Sequence, residues 1–395
     1  MKSLTLNSHK IFRLFIAVML MHSTASSIGQ TGSGLRISLL TCSPGKELYS
    51  TFGHSAIRII DSTRSGDWVF NYGTFDFSDP DFYSKFVQGK LLYFVSMEHT
   101  PDFIAQYQYE ERKVVEQELG LSEAEKIYLQ QFLLQNLKPE NRFYQYDFFF
   151  DNCTTRLRDL LEKSKQPQPD LPAVMPVNTR FREAIHAYLD QGNQHWSKLG
   201  IDLLLGARTD RVMRISEQQF LPDNLMFALD RCTNHSMIRQ TRILYEPANK
   251  QSEDIPLQPM HASLMLFGLL GGLAWFEQKN RIVKTTMIFL DGILFFAVGL
   301  LGFILTYAWF GTDHIMTKSN YNLLWALPSL CLIPIFATSQ KIAFKRFMQG
   351  HTLLLVFTLL VWFWLPQQLN VALIPLVAWM AIRLYRKAPL HATHD

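Results

Sequence analysis

Cysteine is scarce in this chain, with four residues in 395. Cys331 falls in an apolar run, and the other three, Cys42, Cys153 and Cys232, cannot all pair, so at least one thiol is free. The sequence leaves a Cys42 to Cys232 disulfide open, and equally a place for Cys42 as the second choice of nucleophile. Charge is scarce too: 18 % of residues carry it and the net excess is only +4. That excess is local. Residues 260–395 hold ten Lys plus Arg against four Asp plus Glu, residues 1–27 hold three basic residues, and the stretch between is net acidic. The basicity reports topology, and no nucleic-acid partner is expected.

Polar residues nearly vanish from five runs, about 260–276, 285–309, 321–338, 351–366 and 369–385. Buried core helices would carry a polar face, so these runs predict a five-helix, all-α transmembrane domain over 260–395. The mean hydropathy of +0.02 averages over this sharp shift. Lys279, Arg281 and Lys284 occupy the first connection, Lys341, Lys345 and Arg346 the third, and Arg383, Arg386 and Lys387 the tail. The second connection has only Lys318 and the fourth no basic residue. Basic connections face the cytoplasm, which places the C-terminus inside and the soluble part outside. The start of the chain agrees: Lys2, Lys10 and Arg13 precede the apolar run Leu14 to Met21 and the small residues Ser23 to Ser26. This is the pattern of a secretory signal peptide over 1–27.

Residues 28–165 read as an α+β catalytic domain. Strands are expected at 36–42, 54–60, 67–77, 91–97 and 114–119, with 91–97 central, and Ser122 with Glu125 forms a capping box for a helix to about Leu137. The aromatic run Tyr144 to Phe150 reads as a strand leading into a helix that starts near Cys153, with Asp151 or Asn152 as N-cap. A thiol on a first helical turn is stabilised as thiolate by roughly one pKa unit, so it needs a base to become a nucleophile. His54, at the start of a strand after Gly53, is the candidate base, and Asn71 on the next strand, ahead of Asp76, is the candidate to orient it. Residues 166–259, with Pro167, Pro169, Pro172 and Pro176, read as a helical extension and linker. Candidate substrate-binding residues are Asn152 and Arg156 beside the cysteine, Asp313, His314 and Asn320 in the outward loop, and Asp291 within the second run. No metal or cofactor site is assigned.

GHSAIRI, NYGTFDF and FFFDNCTTRLRDLL, followed by a multi-span C-terminus with a TDH…NYNLLW loop, resemble the Lnb-type bacterial lipoprotein N-acyltransferases. The order of histidine before cysteine is similar to permuted NlpC-type papain-like enzymes such as lecithin:retinol acyltransferase. The resemblance implies a permuted papain-like extracytoplasmic domain on a bacterial inner membrane, with Cys153 as nucleophile and His54 as base. Asn71 stands where the lecithin:retinol acyltransferase group has a second histidine, so the orienting role stays open. The implied reaction moves an acyl chain from a membrane phospholipid, through a thioester, to the amine of a diacylglyceryl lipoprotein. The alternatives are a membrane-tethered cysteine peptidase or amidase acting on cell-wall peptide, and a noncatalytic lipoprotein-binding module.

Overall fold

Alternating apolar residues build a sheet whose two faces are both covered. In the computed structural model, which describes residues 32–234, 236–248, 257–336, 339 and 341–388, the strands are β1 (Leu35–Cys42), β2 (His54–Asp61), β3 (Gly66–Thr74), β4 (Leu92–His99), β5 (Val114–Leu119), β6 (Phe143–Gln145) and β7 (Ile238–Tyr245). The expected signal peptide lies outside the described residues. The strands pair antiparallel in the order β6-β4-β3-β2-β1-β5-β7. Four helices connect or follow them: α1 (Phe82–Gln88), α2 (Thr100–Tyr109), α3 (Glu123–Asn136) and α4 (Cys153–Ser164).

Ile37, Leu39, Ile57, Ile59 and Phe70 cover one face with Leu129 and Leu133 of α3 and Leu157 and Leu160 of α4. Leu40, Cys42, Ala56 and Val69 cover the other under Phe103 and Tyr107 of α2. Each such side chain contributes roughly 1.5–3 kcal/mol by leaving water. The expected capping box forms, with Glu125 accepting from the Ser122 N–H at 2.7 Å.

Three expectations change. The run Tyr144 to Phe150 is strand only to Gln145, because Asp147 Oδ1 accepts from the Phe149 and Phe150 amides at 2.8 and 3.1 Å and turns the chain. Its phenylalanines fill a separate core with Phe181 and Phe220. The 91–97 strand is not central but next to the short edge strand β6. The region 166–259 is not wholly helical: after α5 (Phe181–Gln191), α6 (His195–Leu204) and α7 (Pro222–Asp230) the chain returns as β7 to complete the sheet beside β5. Leu225, Leu229 and Met237 belong to the main core, so the division at residue 165 cuts through one packed unit.

Beyond the linker lie α8 (Pro259–Phe276), α9 (Arg281–Phe310), α10 (Ile342–Val361) and α11 (Ile374–Lys387). Among the described residues, α8 and α9 are long and apolar enough to cross a membrane alone. The third apolar run is not a continuous helix. It forms 3-10 turns at Tyr321–Leu324 and Pro328–Cys331 and one helical turn at Leu332–Ile335, since Pro328 and Pro334 withhold amide donors. Such backbone survives at membrane depth only against protein. Gly299 and Gly302 of α9 provide that seat, for a β-carbon at either would collide with the backbone of this segment.

A buried polar knot joins the helical extension to the membrane domain. Arg182 donates to Asp202 Oδ1 at 2.8 Å, Asp210 Oδ1 at 2.9 Å, Thr209 Oγ1 at 2.7 Å and the carbonyls of Leu205 and Gly206. Asp202 Oδ2 accepts from Asn370 Nδ2 at 2.9 Å. Asn320 and Asn322 donate to the Leu203 carbonyl at 2.7 and 3.2 Å. Arg182→Ala leaves Asp210 buried without its cation and Asp202 with only the His186 imidazole, at 2.8 Å, beside it, at a cost of about 3–5 kcal/mol. A fall in Tm of the full-length protein reads it, and Arg182→Lys restores little because an ammonium cannot span the same acceptors.

Candidate active site

The site sits at the rim of the sheet, where elements from its two faces meet. β2 starts at His54 because Gly53 adopts φ +79° in close contact with the Cys42 carbonyl, which a β-carbon would strike. His54 is in register with Cys42, on the face covered by α2. Cys153 arrives from the opposite face as the first residue of α4. Asn152 holds it there: its Oδ1 accepts from the Thr154 and Thr155 amides at 2.8 Å each, and its Nδ2 donates to the carbonyls of Phe148 and Phe220 at 2.8 and 2.9 Å. Thr155 Oγ1 closes the box by accepting from the Asn152 N–H at 2.8 Å. The Arg156 amide bonds the Asn152 carbonyl, so the Cys153 N–H is the first-turn amide that the cap does not take.

The Cys153 thiol interacts electrostatically with the His54 imidazole and the Ser55 backbone N–H, and its Sγ lies 3.8 Å from Thr154 Oγ1. It is 9 % exposed. Burial, the largest influence, opposes its ionisation; the His54 charge and hydrogen bond, then the Ser55 amide and the Thr154 hydroxyl, outweigh it and lower the thiol to about 7. His54 is shifted upward: burial opposes its charging, and the Cys153 thiolate and the bond to Asn71 more than offset that.

Behind the imidazole, His54 Nε2 lies 3.1 Å from Asn71 Oδ1, and Asn71 Nδ2 donates to Glu98 Oε1 at 2.6 Å. A carboxylate accepts only, so Glu98 orients the amide, the amide oxygen demands a proton on Nε2, and Nδ1 is left as the nitrogen available to the thiol. Sequence reasoning missed Glu98. Its signal was a lone acid at the end of an apolar strand, visible only once β4 is known to neighbour β3. Asp76 is exposed and engages Ser78. A bulge in β3 between Asn71 and Thr74 bends the chain beside the thiol, with Gly73 at φ +90°.

The other candidates do different work. Cys42 is fully buried, and burial pushes its thiol up to about 12 despite Tyr107 and Arg112, which removes it as a nucleophile. It forms no disulfide, for all four cysteines are free. Asn152 is committed to capping. Arg156 pairs with Asp151 at 2.6 Å and lies over the Tyr144 ring. Asn320 is spent on the carbonyls of Leu203 and Leu204. Asp291 is held by Arg383 at 2.7 Å and Lys387 at 3.1 Å, and Arg383 also binds Glu277 at 2.6 Å, so its carboxylate is engaged in an ion-pair cluster. The amide of Asp313 donates to Gln88 O at 2.9 Å and His314 Nε2 donates to Phe86 O at 3.1 Å, so this loop fastens α1 to the end of α9.

A buried thiol and a half-buried imidazole at the edge of an antiparallel sheet, set on a bundle with membrane-length helices, define a membrane-anchored thiol domain. Residues 30–183 match the Lnb N-terminal periplasmic domain and residues 250–393 the Lnb transmembrane domain. The chain belongs to the Lnb family, as an inner-membrane protein with a periplasmic N-terminal domain. No curated protein and no solved structure matches it.

Iodoacetamide alkylation of Cys153 in the full-length protein is expected to rise through pH about 7, against about 8.5 for a free cysteine. The thiolate is present above that pH and lost below it. His54→Ala moves the midpoint up. Glu98→Leu moves it up by less, and Glu98→Gln, which keeps an acceptor, spares it.

Proposed function

We propose that this protein is a thiol-dependent lipoprotein N-acyltransferase of the bacterial inner membrane, with its C-terminus in the cytoplasm and a permuted papain-like arrangement in its periplasmic domain. The observation that carries this reading is the electrostatic pairing of Cys153 with His54, in a domain tied directly to the end of a membrane-length helix.

In the first half-reaction the Cys153 thiolate attacks an ester carbonyl of a phospholipid acyl donor. The S–C bond forms as the C–O bond breaks, and the protonated His54 gives its proton to the departing lysophospholipid alkoxide. The oxyanion forms near the uncommitted Cys153 N–H at the positive end of α4. In the second half-reaction the α-amine of a diacylglyceryl-cysteine lipoprotein attacks the thioester. An amide forms, sulfur leaves as thiolate, and His54 takes the amine proton. Asn71 and Glu98 position the imidazole and touch no reacting atom.

The test is mass spectrometry of lipoprotein N-termini from cells that depend on this protein. Cys153→Ala is expected to remove the amide-linked chain, and His54→Ala to lower transfer by roughly 10²–10⁴-fold. A hydroxylamine-labile acyl group on Cys153 after exposure to labelled phospholipid supports the reading. Unchanged lipoprotein acylation in Cys153→Ala overturns it, and cleavage of cell-wall peptide without lipid transfers the case to an amidase.

A further inference from the structure

α1 presents an unusual surface for a short connector. Tyr83, Phe86 and Val87 are 76, 51 and 53 % exposed, and Phe77 beside them is 67 % exposed. Water does not favour such a cluster, and a contiguous apolar patch on a protein surface marks an interaction site. Its height relative to the bilayer follows from α9. Asp291, with its cations Arg383 and Lys387, marks the polar boundary on one side. From there to Phe310 the helix runs about twenty residues, roughly 30 Å at the helical rise, which equals the hydrocarbon thickness. Phe310 therefore stands at the opposite boundary, and it is 74 % exposed. Three and four residues further on, Asp313 and His314 bond the Gln88 and Phe86 carbonyls. The exposed side chains of α1 are thereby held at the outer interface of the membrane.

The patch is also connected to the thiol. Phe82 of α1 packs on Phe75, with ring centroids 5.7 Å apart; Phe75 meets Tyr93 at 5.4 Å; and Tyr93 stacks on Tyr146 at 4.4 Å. The Tyr146 ring and the Cys153 β-carbon then flank Gly73, within 3.7 and 3.8 Å of where its β-carbon would lie. Beside α1 a cleft of about 490 Å³ carries Lys85, Lys90 and Arg142 together with Asp76 and Asp79. Lys85 is taken by Asp79, whereas Lys90 and Arg142 meet no carboxylate among the described residues; the Arg142 guanidinium lies over the Phe94 ring at 4.4 Å and its Nε is buried without a hydrogen-bond partner. Cations at the polar edge of an apolar patch complement a lipid phosphate.

We propose that α1 with Phe77 is the docking surface for outer-leaflet phospholipid, with Lys90 and Arg142 facing the phosphate, and that the aromatic track leads the lipid's ester region toward Cys153. The docking surface stands on geometry alone; the track rests on the acyl-transfer reading.

p-Benzoylphenylalanine placed at position 83 or 86 of the full-length protein, in nanodiscs of phosphatidylethanolamine and phosphatidylglycerol, tests the surface. Irradiation is expected to give phospholipid adducts several-fold above the same probe at Arg64, in the β2–β3 turn at the far end of the sheet. Equal yields at the three positions overturn the docking surface. The combined variant Phe75→Ser and Tyr93→Ser, at the two middle rings, tests the track. Thioester formation from bilayer phospholipid is expected to fall by an order of magnitude while alkylation of Cys153 by iodoacetamide stays unchanged. An unaltered lipid-dependent rate overturns the track. Absence of any thioester in the native protein counts against acyl transfer, and the adduct yields still decide the surface.

Discussion

The chemistry of this molecule depends on the direction in which hydrogen bonds point from Glu98 to Cys153. A carboxylate can only accept, so it dictates which end of the Asn71 amide faces it. The amide then dictates which nitrogen of His54 keeps its proton. The nitrogen left over is the one available to the sulfur, and a buried thiol that would otherwise be inert reaches a pKa of about 7. Cys42 supplies the internal comparison: fully buried, in register with His54, yet lacking such a partner, it is pushed to about 12. Burial alone makes cysteines unreactive, and what distinguishes Cys153 is the imidazole with its ordered support.

The fold places this chain of groups where one face of a sheet gives way to the other. Antiparallel pairing of β2, β3 and β4 lines up His54, Asn71 and Glu98 from three strands, and α4 brings the sulfur from behind. The same rim carries α1, which the Asp313 and His314 loop fixes to the end of a membrane helix. Backbone carbonyls of α1 thus tie this rim to the membrane domain, while the Arg182 and Asp202 knot secures the helical extension to the same bundle.

Much of this was legible in the sequence because the relevant signals are local. Alternation marked β1, β2, β3 and β5, Ser122 and Glu125 marked the start of α3, and Asn152 next to Cys153 marked α4. His54 and Asn71 were singled out from residue type and strand position, and the geometry sets them side by side. What escaped was nonlocal or depended on competition between effects. Glu98 matters only through a neighbouring strand. β7, rich in exposed polar residues, carries little hydrophobic pattern and is a strand because β5 offers it an edge. The third membrane run is apolar enough for a helix, but Pro328 and Pro334 outweigh composition once Gly299 and Gly302 make room for irregular backbone. Asp291, Asn320 and Arg156 looked available because a sequence does not display the partners that occupy them.

The late return of β7 bears on how the periplasmic part can be handled by itself. A fragment ending near residue 165 or 183 would retain the cysteine, histidine and asparagine but strip β5 of its neighbour, exposing the backbone of Val114–Leu119 as a free edge. Such an edge pairs readily with other chains, so the fragment would self-associate however intact its reactive residues. The smallest piece that closes its own sheet must run through Tyr245, almost to the membrane.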